Sequence, residues 1–126
     1  MAFNVKIEEA SRELSKRDVL KFTDTSTAIK LDKEITEVGE IIQIKPVDYF
    51  VLSIHNDKVK DERDRDYTQY LILTEDGRTY LTGSESFFNS FMHIWEVMDG
   101  DEFEIIAYKL PSKNYEGKTF LTCSIV

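Results

Sequence analysis

Residues 84–100, SESFFNSFMHIWEVMDG, carry apolar side chains at the spacing of an amphipathic helix. The apolar positions recur at i, i+4, i+7, i+8 and i+11, and they are Phe87, Phe91, Ile94, Trp95 and Met98. Ser84 or Ser86 can cap the start of this helix, and Gly100 suits its end. We predict that the apolar face packs against a sheet; the alternative use of the same face is a groove for a ligand or a partner.

Segments with the pattern of β-strands lie on both sides of this helix. Residues 40–54 are rich in β-branched and aromatic residues, and they indicate one long strand that is bent or bulged at Pro46. Asp76 and Gly77 predict a type I′ hairpin turn, because this pair readily supplies two positive φ angles. The predicted strands are residues 40–54, 67–74, 78–82, 101–109 and 118–126.

The order of these elements is three strands, the helix and two more strands. An OB-fold has this order, with a helix at one end of a partly open Greek-key barrel. We therefore expect a mainly β protein with a single five-stranded OB-like barrel, in one domain of residues 1–126. Residues 38–126 would form the barrel core and residues 1–37 an N-terminal extension. The alternative is a small α+β sandwich in which the helix covers an open sheet.

The N-terminal extension has weaker patterns. Residues 3–7 alternate between apolar and polar side chains and predict a short strand, and residues 28–32 repeat this alternation. Ser15 and Asp18 have the spacing of a capping box, which would start a short helix. Three roles stay open for residues 8–37: a dimerisation arm, an extra sheet edge or a lid.

The chain carries 24 acidic and 16 basic residues, for a formal net charge of −8. An excess of acid disfavours nucleic acid as a partner unless cations cluster locally, because cations neutralise the phosphates. Residues 109–118 contain such a cluster, with three lysines and one glutamate. Residues 55–66 are net negative by one, so the loop predicted there is a weak phosphate clamp.

Several classes of protein are disfavoured by the residues that the chain lacks. A lone cysteine, Cys123, excludes an internal disulfide or a cysteine zinc cluster, and it predicts a small buried hydrophobe in a cytoplasmic protein. No signal segment and no apolar run of about 20 residues is present, so we expect no membrane association. His55 and His93 share no motif, and neither a phosphate loop nor a nucleophile elbow occurs. We therefore expect that the protein is not an enzyme and that it binds no metal and no cofactor.

The binding face of an OB-fold crosses strands 2 and 3, between the loops that join strands 1 and 2 and strands 4 and 5. Here those loops would be residues 55–66 and 110–118. Aromatic rings stack on bases and lysines contact phosphates, so both types of residue are candidates. The candidate site residues are Tyr67, Tyr70, Arg78, Tyr80, Tyr108, Lys109, Lys113, Asn114, Tyr115, Lys118 and Phe120.

Strand side chains alternate between two faces, and this orients the candidates. If Leu81 points into the core, Tyr80 points outward. Tyr108 and Phe120 likewise lie opposite apolar rows and point outward. Tyr67 and Tyr70 lie on opposite faces, so that only one of them can join a stacking platform.

The chain resembles the single-stranded-DNA-binding proteins of tailed phages that infect low-GC Gram-positive bacteria. Residues 80–91, YLTGSESFFNSF, and residues 111–125, PSKNYEGKTFLTCSI, carry the resemblance, together with residues 3–6, FNVK, and residues 9–14, EASREL. The resemblance implies an OB-type fold, tight or cooperative binding of single-stranded DNA, and a role in phage replication or recombination in the host cytoplasm. It implies no cofactor or metal.

The resemblance also implies partners, namely single-stranded DNA and other phage replication or recombination proteins; a homodimer is left open. Bacterial proteins of this kind usually carry an acidic tail that recruits such partners. Residues 122–126 instead continue a strand, so recruitment through a tail is not expected. The alternative function is a phage protein-interaction module that modulates a host protein, which the acidic surface would suit.

Overall fold

The computed structural model describes residues 3–56, 66–114 and 116–126. The protein is mainly β. The strands are β1 (Phe3–Ala10), β2 (Ile29–Lys30), β3 (Ile41–Ile44), β4 (Pro46–Asn56), β5 (Asp66–Thr74), β6 (Thr79–Thr82), β7 (Ile105–Pro111) and β8 (Thr119–Ile125). The helices are α1 (Lys16–Thr23), α2 (Leu31–Glu34) and α3 (Glu85–Met98).

The strands form a five-stranded sheet in the order β1-β4-β5-β6-β2 and a three-stranded sheet in the order β3-β7-β8. One stretch of chain belongs to both sheets, because β3 and β4 are separated only by Lys45 and the register shifts between Pro46 and Asp48. A proline cannot donate to the ladder, which explains why the strand bends there. The predicted bend at Pro46 is confirmed.

The expected five-stranded OB-like barrel is not confirmed. Among the described strands, no hydrogen bonds pair β6 with β8, so the two sheets do not close on each other. The start of α3 lies at this gap, where the hydroxyls of Ser84 and Ser86 donate to the Leu121 carbonyl on β8 at 3.0 and 2.9 Å. Side-chain hydrogen bonds thus connect the first turn of the helix to the edge of the small sheet.

Helix α3 forms as its sequence predicts. The Ser84 hydroxyl accepts from the Phe87 N–H, and the helix ends at Asp99, which has a left-handed backbone with φ of 45°. Phe87 and Phe91 are fully buried. They belong to an inner core between the two sheets, which consists of Leu31, Ile35, Ile44, Tyr49, Ile72, Tyr80, Phe87, Phe91, Ile105, Ala107, Leu121 and Cys123.

A second core lies on the opposite, outer face of the large sheet, the face turned away from α3. This outer core consists of Phe22, Phe50, Leu52, Ile54, Leu71 and Leu81. Neighbouring strand residues therefore enter different cores, as Tyr80 and Leu81 do. Since both residues are buried, the expectation that Tyr80 points outward to solvent is wrong.

The N-terminal extension supplies the cover for the outer core. Strand β1 pairs with β4 at one edge of the large sheet, and β2 pairs with β6 in parallel at the other edge. Between these two strands in the chain, α1 begins with the predicted capping box of Ser15 and Asp18. The side chain of Phe22, near the end of this helix, is buried. Of the three roles left open for residues 8–37, an extra sheet edge is observed.

Some local predictions need correction. Residues 28–32 are a strand only at Ile29–Lys30, and α2 follows because Leu31 and Ile35 are both buried at helical spacing. In the β5–β6 turn only Gly77 has positive φ, and the Gly77 N–H donates to the Thr74 carbonyl. The Thr74 N–H also donates to the Arg78 carbonyl, so the turn is not type I′ but a three-residue loop, residues 75–77, with one left-handed residue.

Strand boundaries differ at two further places. The strand predicted to begin at residue 101 begins at Ile105, because the Asp101 N–H still donates to the Met98 carbonyl of α3. Of the loop predicted over residues 55–66, His55 and Asn56 belong to β4 and Asp66 belongs to β5. Residues 57–65 lie outside the described residues.

Candidate nucleic-acid interface

A groove of about 680 Å³ lies on the outer face of the large sheet over β5 and β6. We call it the β5 groove. Its apolar floor includes Ile54 and Leu81, both buried. Its walls come from the start of β1, the end of α1 and the loop after α1. The polar and aromatic residues that line it are Asn4, Thr23, Asp24, Thr25, Ser26, Lys30, Tyr67 and Gln69.

The β5 groove exists because the N-terminal extension covers only part of the outer face. Phe22 on α1 stacks on Phe50 of β4 and covers the outer face of the sheet around the middle of that strand. Tyr67, at the start of β5 and opposite Ile54, lies beyond this cover. Its side chain is 41% exposed, so it offers ring surface to the groove.

The charges in the groove nearly balance, because Asp24 and Lys30 both line it. The Ser26 hydroxyl and N–H donate to the Asp24 carboxylate at 2.6 and 3.1 Å, and they lower its pKa below the usual value. The Asp24 carboxylate is thus hydrogen-bonded to Ser26, two residues later in the same loop. Lys30 is the cation that the groove offers to an anionic ligand.

The basic hairpin formed by β7 and β8 contacts the segment that follows Lys30 in the chain. The Lys109 Nζ donates to the backbone carbonyl of Asp32 at 3.4 Å, and Asp32 follows Lys30 by two residues. The Asp32 carboxylate in turn accepts from the Thr82 hydroxyl at the end of β6, at 2.8 Å. Lys109 therefore lies beside the segment that carries the cation of the groove.

Other cations of the predicted set are exposed at the tip of the same hairpin. The Ser112 N–H donates to the Lys118 carbonyl at 2.8 Å, which joins the two ends of the tip. Lys113, Asn114 and Lys118 are exposed there. Tyr115 lies outside the described residues. The tip thus brings the two lysines and the asparagine together, and their role in binding stays a prediction.

Tyr108 and Phe120 lie on the outer face of the three-stranded sheet. Their predicted orientation is confirmed, because Ala107 and Leu121 beside them are buried while Phe120 is 37% exposed. The Tyr108 hydroxyl is 2.5 Å from the Ser124 hydroxyl oxygen. Neither ring lines the β5 groove. Tyr108 and Phe120 thus belong to a different surface from Tyr67, which lines the groove.

Tyr70 and Tyr80 are not available for stacking on a base. The Tyr70 ring is stacked on Phe88 of α3, with centroids 4.1 Å apart and planes at 8°. Burial, and to a lesser extent Glu85, raises the pKa of Tyr70. Tyr80 is 6% exposed and lies in the inner core. Both were predicted as site residues, and the packing of α3 and α2 onto the sheet makes that prediction wrong for these two.

Arg78 lies at the other end of β5 from the groove. It is in the turn after Thr74, and its guanidinium forms an ion pair with Asp76 at 3.2 Å. From Tyr67 to Thr74 a strand advances roughly 23 Å, at about 3.3 Å per residue. The pocket near Arg78 has mixed charge, since Lys45, Glu75 and Glu104 also line it. Arg78 therefore does not join the other candidates.

The sequence prediction missed the groove residues that come from the N-terminal extension. Lys30 was not among the candidates, and the polar cluster at residues 23–27 was interpreted only as a turn. Gln69 was missed as well, although it lies two residues after Tyr67 on the same face of β5. That spacing is the one signal in the sequence that could have found it.

Within residues 3–56, 66–114 and 116–126, no three acidic, histidine or cysteine side chains are grouped to hold a metal ion. Over the same residues, no helix is long and apolar enough to cross a membrane. Comparison of the chain with protein-family models, curated proteins and solved structures gave no match.

Proposed function

We propose that the protein binds single-stranded DNA in the β5 groove without reading its sequence. The observation that carries the proposal is the exposed Tyr67 ring in a groove that Lys30 also lines, with Lys109 of the hairpin in contact with the segment that follows Lys30. An aromatic platform next to a cationic track is the combination that single strands require, because every base has a π-face and every nucleotide carries a phosphate.

The proposal includes an OB-like arrangement of the strands. The pairings of β4 with β5, β5 with β6, β3 with β7 and β7 with β8 support it, since β3 and β4 act as one bent first strand. In this arrangement β5 and β6 are the second and third strands, across which OB-folds bind their ligands. The serine contacts from α3 to Leu121 take the place of the closing pairing.

Each part of the groove has a chemical role in this proposal. A base stacks on Tyr67, and Gln69 and the hydroxyls of Thr25 and Ser26 hydrogen-bond to bases or sugars. The phosphates contact Lys30 in the groove and then the hairpin lysines, Lys109, Lys113 and Lys118. Because these contacts address the π-face and the backbone, any base can occupy the site.

The overall charge supports discrimination against duplex DNA. The net charge of −8 repels polyanions at long range. Duplex DNA carries about one phosphate charge per 1.7 Å, and its stacked bases cannot reach a tyrosine ring. A single strand has fewer charges per length and can turn its bases into the groove.

The biological setting follows the resemblance in residues 80–91 and 111–125. We propose that the protein acts in phage DNA replication or recombination, in the cytoplasm of the infected host, beside other proteins of that process. It would hold single strands rather than catalyse a reaction on them.

Fluorescence anisotropy of a labelled oligo-dT of about 30 nucleotides tests the function, since one OB-fold occupies roughly 4–16 nucleotides. The titration is run at low and at moderate salt, with a duplex of equal length as the control. We expect saturable binding of the single strand that weakens with salt, and much weaker binding of the duplex. Absence of binding at low salt would refute the proposal.

A further inference from the structure

A second concave site lies at the opposite end of the large sheet from the β5 groove. It has a volume of about 270 Å³ and is lined by Pro46, Val47, Trp95, Asp101, Glu102 and Phe103. We call it the Trp95 pocket. Pro46 pairs with Thr74 at the far end of β5 from Tyr67, so the two sites are separated by roughly the length of that strand.

The walls of the Trp95 pocket are aromatic and aliphatic. The Trp95 and Phe103 rings meet nearly at right angles, with centroids 6.1 Å apart and planes at 77°. The Tyr49 ring also contacts the indole, with centroids 5.2 Å apart and planes at 84°, so packing fixes the position of the indole. Val47 on the other wall is 42% exposed. The pocket thus offers apolar surface that the chain itself leaves uncovered.

The rim of this pocket is acidic. Residues 96–104 contain five acidic residues and no basic one. Asp101 and Glu102 line the pocket directly, and the Glu102 side chain is 86% exposed. The C-terminus of α3, whose last turn has no basic residue, adds the negative end of a helix dipole at the same place. The Lys45 Nζ lies 3.5 Å from the Glu102 carboxylate and 2.8 Å from the Glu75 carboxylate, so one lysine is shared between two acids.

We propose that the Trp95 pocket docks a basic segment of a protein partner through one lysine or arginine side chain. The methylene groups of that side chain would pack on Trp95 and Phe103, and its cation would lie over the indole and against Asp101 and Glu102. Charge complementarity selects this occupant. The same carboxylates repel the phosphates of DNA, and they repel a second copy of a chain whose net charge is −8.

This inference does not depend on the proposed function, because it uses different residues at a different end of the sheet. It gives a DNA-binding protein a means of recruiting a basic partner while its groove is occupied. Variants of the pocket should therefore bind oligo-dT with the same affinity as variants that remove the same net charge elsewhere.

The fluorescence of Trp95, the one tryptophan of the chain, reports on occupancy. The probe is an acetylated and amidated pentapeptide of alternating leucine and arginine, and the comparison peptides carry glutamine or glutamate in place of arginine. We expect a saturable change in tryptophan emission with the arginine peptide. The change should weaken with added salt and be far smaller with either comparison peptide.

A pair of double variants separates a local site from general charge attraction. Asp101→Asn with Glu102→Gln removes two charges at the pocket, and Glu34→Gln with Glu37→Gln removes two exposed charges elsewhere. We expect roughly fivefold weaker peptide binding in the first and less than twofold in the second. Equal losses in both, no saturable change, or equal binding of the glutamine peptide would overturn the proposal. So would self-association that changes the Trp95 emission without peptide, since it would assign the pocket to a second copy.

Discussion

The ring of Phe22 is stacked on the ring of Phe50, with centroids 4.4 Å apart and planes at 21°. This contact fixes α1 to the outer face of the large sheet, where Phe22 is only 2% exposed. The N-terminal extension is therefore packed into the structure, and it forms one wall of the β5 groove.

Removal of the Phe22 ring should destabilise the whole protein. Phe22→Ala leaves a cavity in the outer core, and we expect the free energy of unfolding to fall by about 3–5 kcal/mol in urea denaturation. Val19→Ala is the matched control, because Val19 is on the same helix but 42% exposed, and it should cost under about 1 kcal/mol. Equal small losses would mean that α1 is not anchored through Phe22.

The hairpin lysines should contribute to the salt dependence of DNA binding. Each phosphate contact on a single strand contributes about 0.7 to the slope of log K against log salt, so Lys113→Ala with Lys118→Ala should lower the slope by roughly 1.4. Arg78→Ala is the control, since Arg78 lies at the far end of β5 and is paired with Asp76. A slope that changes with Arg78 and not with the lysines would place the DNA elsewhere.

The thiol of Cys123 should be unreactive in the folded protein. Cys123 is 4% exposed in the inner core, and burial raises the pKa of its thiol to about 12. At about pH 8 almost no thiolate is then present, so Ellman's reagent should label the native protein very slowly. The same protein in guanidinium chloride should react at one thiol per chain. Rapid labelling of the native state would show that β8 opens readily.

Asp18 should make the folded state sensitive to acid. The Ser15 N–H and the Arg12 guanidinium both donate to its carboxylate and lower its pKa below the usual 3.8. The stabilisation is therefore complete above about pH 4 and is lost as the pH falls through the lowered value. Between about pH 7 and about pH 2.5, the Tm of the wild type should fall more than that of Asp18→Asn. Parallel falls in Tm would contradict this role.

Local patterns were enough to predict the elements whose signals lie within one segment. Helix α3 needs only its Ser84 cap and the spacing of Phe87 and Phe91, and the bend in the first long strand needs only Pro46. Alternation along β8 likewise placed Phe120 outward and Leu121 inward. These features depend on backbone chemistry and on neighbours a few residues away.

Features that depend on distant segments were not predictable in the same way. Tyr80 is buried because β2 and α2, about 50 residues earlier in the chain, pack beside it, and no pattern around Tyr80 carries that information. The β5 groove likewise combines Lys30 from the extension with Tyr67 from β5. Periodicity identifies the two faces of a strand, but it does not reveal whether a second layer covers both.

The most direct test of the β5 groove compares two tyrosines on two surfaces. Tyr67→Ala and Tyr108→Ala remove the same ring from partly exposed strand positions, one in the groove and one on the outer face of the small sheet. Each variant is titrated with the labelled oligo-dT at low salt, after circular dichroism has confirmed its fold. We predict that Tyr67→Ala weakens binding by roughly 1–3 kcal/mol and that Tyr108→Ala changes it less than twofold. Unchanged affinity in Tyr67→Ala with a large loss in Tyr108→Ala would contradict the account and move the DNA to the outer face of the three-stranded sheet.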